Sequence, residues 1–72
     1  MEEKKTKFAE NLYHYRKERK LSQEDVALKI FVSQQCVSQW EKGQIEPTLT
    51  FLWCLAHLFD VSLDELVGRK DY

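Results

Sequence analysis

At 72 residues, with 43% apolar residues and two Trp, four Phe and three Tyr, the chain has material for one small core and a single domain spanning 1–72. Eleven Lys and Arg against twelve Asp and Glu give a formal charge of −1, so the basic excess usual in nucleic-acid binders is missing from the total. The opening MEEKKTK is charged, no stretch approaches the roughly 20 apolar residues of a membrane span, and two cysteines are too few for a disulfide framework; secretion and membrane insertion are not expected, and the cytoplasm is.

One Pro and two Gly among many Leu, Lys, Glu and Gln point to an all-helical fold. A first helix is predicted from near Lys7 to Arg19, with Phe8, Leu12 and Tyr15 on one face at i, i+4 and i+7. Ser22, with Asp25 three residues on, forms a capping-box-like start for a second helix that turns Val26, Ala27 and Ile30 inward. Ser33 caps a third, which Gly43 ends. Pro47 and Thr48 open a fourth that runs to about Phe59, and Ser62 with Glu65 forms a capping box for a short fifth. The expected core spans about 8–68, and the residues after Gly68 read as a frayed or partner-docked tail.

The stretch from Leu21 to Gly43 is two short helices joined by a tight turn, a helix-turn-helix at about 23–42. At about 100° per residue from Gln34, Val37 and Trp40 fall together near 300° and 240° and should anchor the third helix. Gln34, Gln35, Ser38, Gln39 and Lys42 fall within roughly 0–140°, one outward arc. A glutamine amide both donates and accepts and can pair with adenine N6 and N7, so Gln34, Gln35, Ser38 and Gln39 are the candidate base-reading residues. Taken alone, the same face fits an ordinary solvated helix surface equally well. Charge supports the first reading. Residues 1–45 hold nine basic and seven acidic side chains, residues 46–72 two and five, so the basic excess lies with the possible reader. Lys17, Lys20, Lys29 and Lys42, with Ser33 and Gln44 at the ends of the third helix, are candidate phosphate contacts.

Residues spread along the chain carry a family pattern: Arg16-Lys17, Leu21-Ser22-Gln23, Val26-Ala27, Val32-Ser33, Val37-Ser38, Trp40-Glu41-Lys42-Gly43, Pro47-Thr48-Leu49 and Val61-Ser62-Leu63-Asp64-Glu65-Leu66. From about Phe8 to Gly68 the sequence resembles lambda-repressor-like (Cro/XRE-type) helix-turn-helix domains, and Ser33-Gln34-Gln35 resembles the recognition-helix start of some lambdoid phage repressors. The resemblance implies a compact five-helix all-α fold, a homodimer on a palindromic operator in double-stranded DNA, and transcriptional regulation. It also implies a phosphate contact for Gln23 and a structural pair between Arg16 and Glu41. Lys20, Phe31 and Asp60 stand where the family often has glycine after a helix. Phe31, in the turn of the motif, is expected either to strain that turn or to offset the cost by covering an apolar surface.

The fourth helix is apolar almost all round. Leu49, Leu52, Trp53, Ala56 and Phe59 suffice to meet the core, which leaves Phe51, Cys54, Leu55 and Leu58 as a second stripe. Phe51, Leu55 and Leu58 are therefore the candidate dimer interface, the alternative being cover from the fifth helix and the tail. Cys54 and His57 at i, i+3 offer two ligands where structural zinc takes four, so no metal or cofactor is expected. Cys36 reads as a half-buried structural thiol, and no nucleophile motif or phosphate loop supports an enzyme. The expected function is a sequence-specific DNA-binding regulator, repressor-like and dimeric. The alternative is a protein-interaction module, antitoxin-like or regulator-binding, with DNA secondary.

Overall fold

The computed structural model describes residues 6–68; the tail after Gly68 lies outside them. Five helices follow in order: α1 Lys7–Glu18, α2 Gln23–Ile30, α3 Gln34–Glu41, α4 Leu49–Phe59 and α5 Leu63–Val67. Local chemistry sets most of these boundaries. Thr6 Oγ1 accepts from the Ala9 N–H and Ser33 Oγ from the Cys36 N–H, each at 3.1 Å, satisfying donors that a helix start leaves free. Reciprocal capping boxes form at Ser22 with Asp25 and at Ser62 with Glu65. Thr48 begins α4 without a side-chain cap.

The core is a single cluster of Phe8, Leu12, Val26, Ala27, Ile30, Val37, Trp40, Leu55, Ala56, Phe59 and Leu66. Every helix contributes at least one of these, and each of α1 to α3 presents the face its apolar spacing predicts. Contacts distant in sequence hold the ends together. Asn11 Nδ2 donates to the Glu65 and Leu66 carbonyls at 3.2 and 3.1 Å, tying α1 to the end of α5. Arg19 lies over the Tyr15 and Phe59 rings, 5.6 and 5.5 Å from their centroids, and its Nη2 donates to the Phe59 carbonyl at the end of α4.

The fourth helix is turned differently from expectation. Leu49 and Trp53, assigned to the core, are 63% and 61% exposed, whereas Leu55 is 0% exposed. Both stripes of α4 are apolar, so the neighbours decide which goes in. Phe51 packs against Trp40 with ring centroids 5.8 Å apart, and Phe59 stacks on Tyr15 at the same separation. Those two contacts bring Leu55, between them on the helix, into the centre.

Lys20, Phe31 and Asp60 all adopt positive φ, at 58°, 64° and 60°, where the family pattern carries glycine. For residues with a Cβ this conformation costs about 1–2 kcal/mol. Phe31 does not cover the apolar surface proposed for it: its side chain stands 90% exposed.

Candidate nucleic-acid interface

The third helix is held from behind. Val37 and Trp40 are buried, and beside them Arg16 and Glu41 form an ion pair only 8% and 7% exposed. Arg16 donates from Nε to Glu41 Oε2 at 2.6 Å, from Nη2 to Oε1 at 3.1 Å, and from Nη1 to the Leu21 carbonyl at 2.8 Å. This two-point geometry joins α1 to the end of α3 and clamps the chain entering α2. The hydrogen bond to Glu41 raises the Arg16 pKa above its ordinary value against the opposing effect of burial, so the guanidinium stays charged. The structural pair implied by the resemblance is present.

From this pair a chain of hydrogen bonds runs outward. Gln23 Nε2 donates to Glu41 Oε1 at 3.0 Å, and Gln34 Nε2 donates to Gln23 Oε1 at 3.1 Å. Glu41, paired with a guanidinium, can only accept, so Gln23 must turn its NH2 inward and its carbonyl oxygen outward. The outward oxygen in turn takes an N–H of Gln34. What Gln34 has left is one N–H and its own oxygen, a donor beside an acceptor at the first position of α3. That pair matches adenine N7 and N6 in a major groove.

The expected reading residues share this surface. Gln34 and Gln35 are exposed at the start of α3, and Ser38 and Gln39 are half-buried one turn further along. Lys42, the residue that closes α3, and Gln44 after it are both exposed. Ser33 is exposed, with its oxygen engaged as the helix cap. Lys17 is exposed with Nζ 5.8 Å from the Tyr13 ring centroid. Gln23 is half-buried and its amide is occupied at both ends, so its contribution in the free protein is to hold Gln34. Sequence reading missed this link because the partners stand 11 and 18 residues away.

Of the three expected dimer residues, Leu55 needs correction. Leu55 belongs to the core and offers no surface, while Phe51 and Leu58 are half-buried against the same core. On α4 the exposed large apolar side chains are Leu49 and Trp53, with Ile45 exposed in the loop before it; Tyr13, Leu28 and Phe31 are exposed elsewhere. Cys54 and His57 line a shallow groove with Phe31, and among the described residues no three His, Cys, Asp or Glu side chains gather as metal ligands. No helix among those residues is long and apolar enough to cross a membrane.

A buried clamp behind a short, capped helix with an outward amide face is the arrangement of a DNA reader, and the family model for helix-turn-helix proteins matches residues 12–66. The chain belongs to the Cro/C1-type helix-turn-helix family. It is 34% identical over 64 residues to the HTH-type transcriptional activator BcrR of Enterococcus faecalis, covering 89% of this chain and 31% of BcrR. A transcriptional regulator from Listeria innocua shares the fold with a TM-score of 0.83 at 35% identity, over 90% of this chain and 61% of that one. The P22 c2 repressor, solved in complex with a synthetic operator, superposes with a TM-score of 0.79 at 30% identity, over 83% of this chain and 91% of the repressor. This helix-turn-helix chain thus spans about a third of BcrR's length and less than two thirds of the Listeria regulator's. It is an all-α DNA-binding domain of the kind that transcriptional regulators carry.

Proposed function

We propose that the chain binds a palindromic operator as a homodimer and regulates transcription by occupying it, in the manner of a repressor. One observation carries this reading: the amide of Gln34 is presented outward with a defined donor and acceptor, by a chain that starts at the buried Arg16–Glu41 pair. Gln34 and Gln35 read bases at the start of α3, Ser38 and Gln39 follow along the groove, and Lys17, Ser33, Lys42 and Gln44 contact phosphates. The phosphate contact expected of Gln23 requires its NH2, which in the free protein is turned inward to Glu41, so on DNA Gln23 either keeps Gln34 oriented or swings out to a phosphate. Two copies meet through Ile45, Leu49 and Trp53, three large apolar side chains left exposed on α4 and the loop before it. The site needs no metal or cofactor, and its setting is the cytoplasm.

Selection of bound duplexes from a random pool tests the reading, followed by affinity for the winner against scrambled DNA over a range of salt. The expected result is a palindrome with half-sites about one helical turn apart, bound roughly a thousandfold tighter than scrambled DNA. Gln34→Ala and Gln35→Ala should each erase the preference at one base pair. If nothing is enriched and binding is weak and steeply salt-dependent, the contact is only electrostatic. The alternative, a protein-interaction module docking through Leu49 and Trp53, then replaces it.

A further inference from the structure

The Tyr13 ring stands 44% exposed on α1, although the inward side of that helix is already filled by Phe8 and Leu12, with Tyr15 packed against the core beside them. Its surroundings are cationic. The Arg16 Cζ lies 5.5 Å and the Lys17 Nζ 5.8 Å from its centroid, and the His14 ring meets it edge-on at 5.5 Å and 76°. The two cations are in different situations. Arg16 is buried and has given three N–H groups to Glu41 and the Leu21 carbonyl, so its charge is compensated. Lys17 is exposed, and among the described residues the Tyr13 ring is the one partner of its ammonium group.

The sequence around Lys17 explains the pairing. Three and four residues away stand His14, Lys20, Tyr13 and Leu21, none of them acidic, so no carboxylate is placed to form a helical ion pair with it. A cation over an aromatic face is held by the quadrupole of the ring, and that attraction leaves its charge whole. A carboxylate would order the lysine just as well, but it would neutralise the ammonium and have to be given up before a phosphate could be met. An unrestrained lysine, by contrast, loses the rotamer freedom of its long stem on binding. The ring removes part of that loss in advance. The place also fits. Arg16, against which the ring rests, is the inner end of the hydrogen-bonded chain through Glu41 and Gln23 to Gln34, so the Lys17 charge is held on the flank of α1 next to the reading surface.

We propose that Tyr13 is a positioning residue for DNA binding: its ring orders the Lys17 ammonium, still fully charged, for a backbone phosphate. The phosphate half rests on the operator-binding reading above; the contact between ring and ammonium does not. Because a phosphate carries no sequence information, Tyr13 adds affinity for every duplex and no preference among them.

The test uses the full chain with Tyr13→Leu, Tyr13→Phe, Lys17→Met and the double variant Tyr13→Leu with Lys17→Met; leucine keeps an apolar, helix-favouring side chain and phenylalanine keeps the ring. In the free protein, proton NMR should show the Lys17 Cε protons shifted upfield by the ring in the wild type and in Tyr13→Phe, and at their ordinary position in Tyr13→Leu. Equal shifts in all three overturn the proposal. Binding to the selected operator and to a scrambled duplex is then measured over a range of salt. Lys17→Met should lower the salt slope by about 0.9 per copy. Tyr13→Leu should weaken binding about two- to fivefold per copy on both duplexes, the size of one exposed cation–π contact, and leave the ratio between them unchanged. In the Lys17→Met background it should have no further effect, and Tyr13→Phe should bind like the wild type. A loss in Tyr13→Phe equal to that in Tyr13→Leu would assign the effect to the hydroxyl, and an undiminished effect in the Lys17→Met background would assign it to Arg16 or to folding. Either result overturns the proposal, as does a wild-type salt slope in Lys17→Met. If no operator is enriched but these effects persist on any duplex, the regulator reading fails and this one stands; absence of all duplex binding overturns both.

Discussion

Arg16→Met should come close to unfolding this domain, and the reason is Glu41 rather than lost packing. Methionine has nearly the length of the arginine stem, so most apolar contact survives. What remains is a carboxylate only 7% exposed, with Gln23 Nε2 as its one side-chain donor among the described residues in place of three side-chain N–H groups. Removing one partner of a buried ion pair costs about 3–5 kcal/mol. At roughly 0.05–0.15 kcal/mol per residue, a 72-residue domain has a total stability of about 4–11 kcal/mol. The loss of about 3–5 kcal/mol therefore consumes about a quarter of the stability at best and exceeds all of it at worst. In thermal unfolding it corresponds to a fall of more than about 12 °C in Tm. Replacing both partners, as Arg16→Met with Glu41→Leu, leaves no uncompensated charge and should recover most of the loss. The assay is thermal and urea unfolding of wild type, single and double variants followed by far-UV circular dichroism. Equal destabilisation of the single and double variants would refute the reasoning, because it would place the cost in packing and not in the stranded carboxylate. The recovered double variant should still bind DNA with reduced preference, since Gln23 then has no acceptor to orient it.

Other perturbations test other elements. Asp25 accepts from the Ser22 N–H and hydroxyl, and these hold its carboxyl below the ordinary carboxylate pKa. A depressed folded-state pKa adds stability that is full above the unfolded value near 3.8 and is lost as pH falls through the folded one. Asp25→Asn should therefore flatten the acid limb of the stability curve below about pH 4 and leave the limb above pH 6 parallel to wild type in pH-dependent unfolding. Gly68→Ala should destabilise by about 1–2 kcal/mol, because φ is 81° and the new Cβ would lie 2.5 Å from Lys7 Cβ; an unchanged urea midpoint would contradict this. Trp53→Glu should convert a dimer to a monomer in sedimentation without lowering Tm appreciably, since the side chain it replaces is 61% exposed.

Much of the fold was legible because its signals are local. The Ser22–Asp25 and Ser62–Glu65 boxes, the Ser33 cap and the glycine after α3 each act within a few residues, and each stands where the spacing put it. The outward arc of α3 was legible for the same reason, since Val37 and Trp40 leave only one way to turn that helix. The fourth helix was not, because periodicity ranks faces by contrast and α4 has almost none. Its rotation came from Trp40 and Tyr15, which are distant in sequence. Arg19 on the Phe59 carbonyl and Asn11 on α5 were invisible for the same reason, spanning 40 and more than 50 residues with no spacing rule to find them.

The same distinction explains what the sequence could say about the site. Periodicity identified Gln34 as outward but was silent on which atom of its amide faces outward, although base choice depends on that. The answer comes through three residues on three helices: Arg16 donates to both oxygens of Glu41, Glu41 fixes the direction of Gln23, and Gln23 takes one of the two N–H groups of Gln34. Each step follows from donor and acceptor capacity, so the polarity of the reading group is set by a buried pair that does not itself face the groove. A structural ion pair and a reading residue are thereby one system. For this reason a change at Arg16 or Glu41 that spares the fold should still alter base preference, whereas a change at Lys17 or Lys42 should weaken binding to every sequence alike.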